Sequence, residues 1–140
     1  MTEQQLIQHA NQLLVRPRQA TVGLWARAAA LLARQALESS LDKFWDRCGW
    51  QLQRCSFRAQ LLCLHELAGQ EVARDAAYSY NFLSNVCHFN PYEASPTSVE
   101  LRTILEMVES IACTLEEKAD ELLAARSKSD DFAGSPSSSG

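Results

Sequence analysis

The stretch LWARAAALLARQALESSLDKFW, residues 24–45, contains no glycine and no proline and is built largely from alanine and leucine. Both residues favour helix, because alanine loses no side-chain freedom on entering one and leucine loses little. Breakers are scarce elsewhere too. The 140 residues hold 5 Gly and 4 Pro, and two of those glycines lie in the last seven residues. An all-β domain with a turn every 8–12 residues or so would need more of them. The length suits one domain, and a hydrophobic fraction of 46% suits a packed core. The expected fold is all-α: a single up-and-down bundle of four long helices plus a short N-terminal helix over residues 1–126. The closing SKSDDFAGSPSSSG is small and polar, so residues 127–140 are expected to form a disordered tail.

Periodicity places the helices. Leu6, Ala10, Leu13 and Leu14 share one face of a short helix over 3–15, which Arg16-Pro17 ends. A second helix over 21–48 has Thr21 as its N-cap and Gly49 as its C-cap. Its apolar stripe is expected to change sides: Leu24, Ala28, Leu31 and Leu32 share one face, while Leu37, Leu41, Phe44 and Trp45 lie roughly opposite. Ser56 caps a third helix that Gly69 closes, and a fourth covers 70–89. After the corner FNPYEASP, Thr97-x-x-Glu100 is a capping box that opens the fifth. Along that helix Leu101, Leu105, Val108, Ala112, Leu115, Ala119 and Leu122 repeat in a heptad pattern. Such a seam either packs inside the bundle or joins two copies in a homodimer.

Several chemistries lack their residues. No run of 18 apolar residues exists, so no membrane partner is expected. The polar, amphipathic start MTEQQLIQHANQLL does not read as a secretory signal, which points to a cytoplasmic chain. The five cysteines include no C-x-x-C and are expected to be reduced, buried thiols. With no paired His or His/Glu at ligand spacing, no metal is expected, and with no glycine-rich loop, no nucleotide cofactor. The net charge of −4 is uneven: residues 1–74 carry nine Lys or Arg against six acids, and residues 75–140 carry four against eleven. The arginines therefore either form a basic surface or pair with the acidic C-terminal helix within the fold.

One pattern in the fourth helix stands apart. Arg74, Asn81, Asn85 and His88 fall on a narrow line between two apolar stripes. Asparagine is a modest helix former, and two of them in line with a histidine are less expected there than Lys or Glu. The line is a solvent-facing edge, a buried hydrogen-bonded network, or a cleft in which His88 acts as acid, base or phosphate donor.

The segments AALLARQALE, FRAQLLCLHEL and LSNVCHFNPYEASPTSVELR resemble the HEPN superfamily, over roughly residues 20–115. These are small helical bundles, many of them metal-independent ribonucleases or toxins of toxin–antitoxin pairs. The resemblance is to a divergent bacterial branch. Active members carry Arg, four to six residues, then His on one helix. His88 matches the histidine, but the corresponding arginine positions hold Asn81, Phe82 and Leu83. Asparagine can hydrogen-bond a phosphate without neutralising it. Losing that cation would cost about 3 kcal/mol of transition-state stabilisation. The resemblance therefore implies a helical interaction or RNA-associated module, as a homodimer or with an RNA or protein partner. Its alternative is a ribonuclease using His88 and Asn81 with a cation borrowed from Arg27 or Arg34, or from Arg74 of a second copy; Asn85 would help bind. A third possibility is a structural subunit of a larger assembly.

Overall fold

The structure, a computed structural model, describes residues 2–15, 24–88 and 95–133. It is an all-α bundle of five helices: α1 (Glu3–Val15), α2 (Leu24–Cys48), α3 (Phe57–Ala68), α4 (Gln70–Cys87) and α5 (Ser98–Ala133). No strand occurs among the described residues. The expected cap Thr21, the Arg16-Pro17 stop and the corner from Phe89 to Ala94 lie outside them, as do residues 134–140.

The buried face of α2 explains the arrangement. It runs unbroken through Ala26, Ala29, Ala30, Ala33 and Ala36 and then through Leu37, Leu41, Phe44 and Trp45. This is a single stripe at helical period, not the expected change of sides. Its first half is alanine, and Leu24 and Leu31 point outward, 61% and 47% exposed. Methyl side chains let neighbouring backbones approach closely, and α1, α4 and α5 all pack against α2. A leucine face there would have held them further apart.

Although α1 is short, it belongs to the core. Leu6, Ile7, Ala10 and Leu14 are buried. The carboxylate of Glu3 accepts hydrogen bonds from Ser39 Oγ (3.1 Å) and Lys43 Nζ (3.2 Å) of α2. Burial works against ionisation of Glu3. The backbone hydrogen bond, Lys43 and Ser39 outweigh it and hold the carboxyl below its ordinary range.

At its N-terminus α5 carries the expected capping box. Thr97 N–H donates to Glu100 Oε2, and Glu100 N–H donates to Thr97 Oγ1, each at 3.1 Å. Leu101, Leu105, Val108, Leu115 and Ala119 are buried, together with Ile104 and Ile111. Most of the heptad seam thus packs inside the bundle, while its members Ala112 and Leu122 are half-buried. Arg47 of α2 fastens the far half of α5 by donating to the Glu116 carbonyl (3.3 Å) and pairing with Asp120. The helix then continues past Ser127, where the tail was expected, to Ala133. The side chains from Ala124 to Asp131 are all exposed, so this extension is held by helix propagation rather than packing.

Gly49 (φ 76°) ends α2 in a Schellman motif, in which Trp50 N–H donates to Trp45 O and Gly49 N–H to Asp46 O. The connection then doubles back, with Gln53 Nε2 donating to Asp46 Oδ1. Ser56 Oγ caps α3 by accepting from Ala59 N–H. One buried bridge ties α3 to α2: Trp45 Nε1 donates to Gln60 Oε1, and Gln60 Nε2 donates to the Cys55 carbonyl, both at 3.0 Å. Gly69 (φ 106°) is the whole connection between α3 and α4. Phe57, at the start of α3, stacks on Tyr80 of α4 at 3.7 Å between ring centroids, so the two helices run antiparallel from that corner.

Replacing Gln60 by Leu leaves the buried Trp45 N–H without an acceptor, so the urea unfolding free energy should fall by about 1–3 kcal/mol. The Glu3 anchor gives a pH-dependent expectation. A depressed carboxylate pKa contributes stability above the unfolded value of about 4.3, and that stability is lost as pH falls through the lower folded value. Glu3→Gln should therefore unfold more easily than the parent at pH 7, and the gap should close below about pH 4. Urea titrations at the two pH values measure it.

Candidate functional site

The outward edge of α4 is the site singled out by the sequence. Arg74, Asn81, Asn85 and His88 are all exposed. They form a solvent-facing edge, neither a buried network nor a cleft. Among the described residues no side-chain hydrogen bond joins them. Tyr78 lies on the same edge, 58% exposed, and Phe82 beside it is half-buried. Arg74, Tyr78, Asn81, Asn85 and His88 follow one another at intervals of three or four residues, so they are neighbours on the helix surface. Val72, Ala76, Ser79 and Leu83, on the other side of the helix, are buried and hold this edge outward. His88 is the C-cap, its backbone N–H bonded to Ser84 O.

The two arginines expected to reach His88 from α2 have separate structural tasks. Arg27 Nη2 donates to the Cys87 carbonyl at 3.2 Å. That contact places its guanidinium at the α4 C-terminus, where the helix dipole favours a cation. It is the arginine the fold brings to the helix end bearing His88. Arg34 is elsewhere. Its Nε pairs with Glu38 at 3.2 Å, its Nη2 reaches Tyr80 Oη at 3.4 Å, and its guanidinium lies over the Tyr80 ring at 5.2 Å. Burial opposes its charge, but Glu38 and Tyr80 outweigh that and raise its pKa above the ordinary value. Tyr80 precedes His88 by two turns, about 12 Å along the axis. Arg74 is further still, about 20 Å from His88 along the same helix. Within one chain the fold therefore brings Arg27 to the helix end that bears His88, sets Arg34 on Tyr80, and leaves Arg74 about 20 Å from His88 along the axis. Arg47 pairs with Asp120 of the acidic α5.

A second feature has no counterpart in the sequence reading. The start of α1 and the middle of α5 both lie on α2 but splay apart, leaving a cleft of about 1320 Å³. Ile7, Phe44, Leu115 and Ala119 form its floor. Gln4, Gln8 and Asn11 line the α1 wall, and Glu109, Cys113 and Glu116 line the α5 wall. The signal for the α1 wall was present: Gln4, Gln8 and Asn11 recur at i, i+4 and i+7, an amide face opposite the apolar one. Nothing in the sequence paired it with α5.

Among the described residues no group of three or more His, Cys, Asp or Glu is placed to hold a metal ion. No described helix is long and apolar enough to cross a membrane. No family model matches the chain, and no curated protein or solved structure matches it either.

Proposed function

We propose that the chain is a HEPN-like binding module that engages single-stranded RNA along the outward edge of α4 without cleaving it. The supporting observation is that edge: Tyr78, more than half exposed, lies in line with Arg74, Asn81, Asn85 and His88. An exposed tyrosine gives a base a ring to stack on, and Arg74 gives the strand a phosphate contact. The two asparagines offer donors and acceptors to base edges. Phosphoryl chemistry would need a cation beside His88 aimed at the developing charge. Arg74 is nearly four turns from it, and Arg27 has its Nη2 on the Cys87 carbonyl. Fluorescence anisotropy with a labelled single-stranded RNA tests the reading. Tyr78→Ala should weaken binding about tenfold, within the usual worth of one base–aromatic stack. Arg74→Gln should lower the salt slope by about 0.7, the loss of one phosphate contact on a single strand. Failure of the parent chain to bind at 100 µM protein in low salt would reject it.

One contact favours a second reading, a metal-independent ribonuclease or toxin in which Arg27 supplies the cation for His88. It is the Arg27 bond to the residue before His88. On that reading the purified chain cleaves RNA in the presence of a chelator, and His88→Ala and Arg27→Gln each slow cleavage about a hundredfold. Intact RNA after prolonged incubation with the parent chain leaves the binding module standing alone.

A further inference from the structure

We propose that the outward faces of α2 and α3 are the two halves of a self-complementary contact with a second copy of this chain. The proposal is independent of the α4 edge. Outside its buried stripe, α2 presents two unlike halves. Leu24, Ala28 and Leu31, at i, i+4 and i+7, share one exposed face, with the leucines 61% and 47% exposed. Glu38, Asp42 and Asp46 continue that face at intervals of four residues. Asp42 and Asp46 are exposed, and the Glu38 side chain is 44% exposed. Arg34 pairs with Glu38, but among the described residues no cation pairs with Asp42 or Asp46. Burial, and then the neighbouring carboxylates of Asp46 and Glu38, push the Asp42 carboxyl above its ordinary range. The repulsion along this row is therefore only partly relieved within the chain.

The opposite pattern stands on α3. Arg54, in the turn before it, and Arg58, in its first turn, are exposed and have no ion pair among the described residues. Leu62, one turn beyond Arg58 on the same face, is 68% exposed. The two patterns adjoin. Gln53, next to Arg54, donates to Asp46 Oδ1 at 2.6 Å and to the Asp42 carbonyl at 3.5 Å, so α3 sets out from the acidic half of α2.

Charge decides how two copies meet. Pairing α2 with α2 lays acids on acids when parallel and acids on leucines when antiparallel, and neither is favourable. An α3 laid antiparallel on the α2 of another copy fits. With Arg58 beside Glu38, Arg54 comes towards Asp42, because both pairs of residues are four apart. Leu62 then lies within one turn of Leu31. In a two-fold arrangement each copy gives its α2 to the partner's α3, and the contact is made twice.

Light scattering and sedimentation equilibrium on the full chain at low salt should show a dimer. Its dissociation constant should rise with salt, because the paired charges are screened. Leu62→Ser should weaken it at least about tenfold, the loss of one buried leucine in each contact. The double variant Arg54→Glu, Arg58→Glu should be monomeric, and so should the double variant Glu38→Arg, Asp42→Arg. These side chains lie at the surface, so circular dichroism should match the parent. Mixed in equal amounts, the two monomeric variants should dimerise. Acid meets arginine at both contacts of the mixed pair, whereas like meets like in either pure one. Tyr78→Ala should leave the dimer intact. A parent chain that stays monomeric at about 500 µM would overturn the proposal. So would charge variants that remain dimeric, or a mixture that remains monomeric.

Discussion

Close approach to the alanine face of α2 is the constraint from which the other placements follow. Ala26, Ala29, Ala30, Ala33 and Ala36 are all essentially inaccessible to solvent, and α1, α4 and α5 each pack on the same helix. Alanine contributes little apolar area by itself. Its value lies in geometry, because a methyl face lets interhelical distances fall to the low end of the usual 8–10 Å. The larger residues come later on α2, where Leu37, Leu41, Phe44 and Trp45 are just as fully buried. Trp45 then needs a partner for its indole N–H, and Gln60 provides it.

The same placement governs what the surface offers. With one side of α4 turned into the core, its Arg74–His88 edge must face water. Arg27 and Arg34 lie on the part of α2 that meets α4, and each takes up a local electrostatic task there: a helix C-terminus for Arg27, a glutamate and a tyrosine for Arg34. Arginines that cap and bridge helices in this way stabilise the packing but are held in place by it. On the other side of α2, α1 is too short to cover the middle of α5, and two polar clips hold the helices on either side of the gap. Glu3 with Lys43 fixes the start of α1, and Arg47 with Asp120 fixes α5.

Local signals in the chain were legible wherever the physics was local. Thr97 and Glu100 make their reciprocal bonds, Ser56 caps α3, and Gly49 ends α2, because each contact spans only a few residues. The line of polar residues on α4 was also correctly grouped, since helical period alone puts them side by side. The apolar face of α2 was misread for a reason that hydropathy cannot capture. Leu24 and Leu31 are more hydrophobic than the alanines beside them, yet the alanines are buried, because the contact rewards smallness over apolar area. The heptad seam on α5 was legible as a seam; which partner it meets was not.

The sequence by itself determined the helices, most of their ends and the edge that α4 shows to one side, because propensity, capping and periodicity act within a few turns. Only the tertiary structure decided which cation sits at the end of α4, which face of α2 is inside, and that a cleft opens between α1 and α5. Those outcomes depend on residues distant in the chain, such as Arg27 with Cys87 and Arg47 with Asp120, meeting across close-packed helices. The energy of such meetings resides in the pair, and neither partner announces it alone.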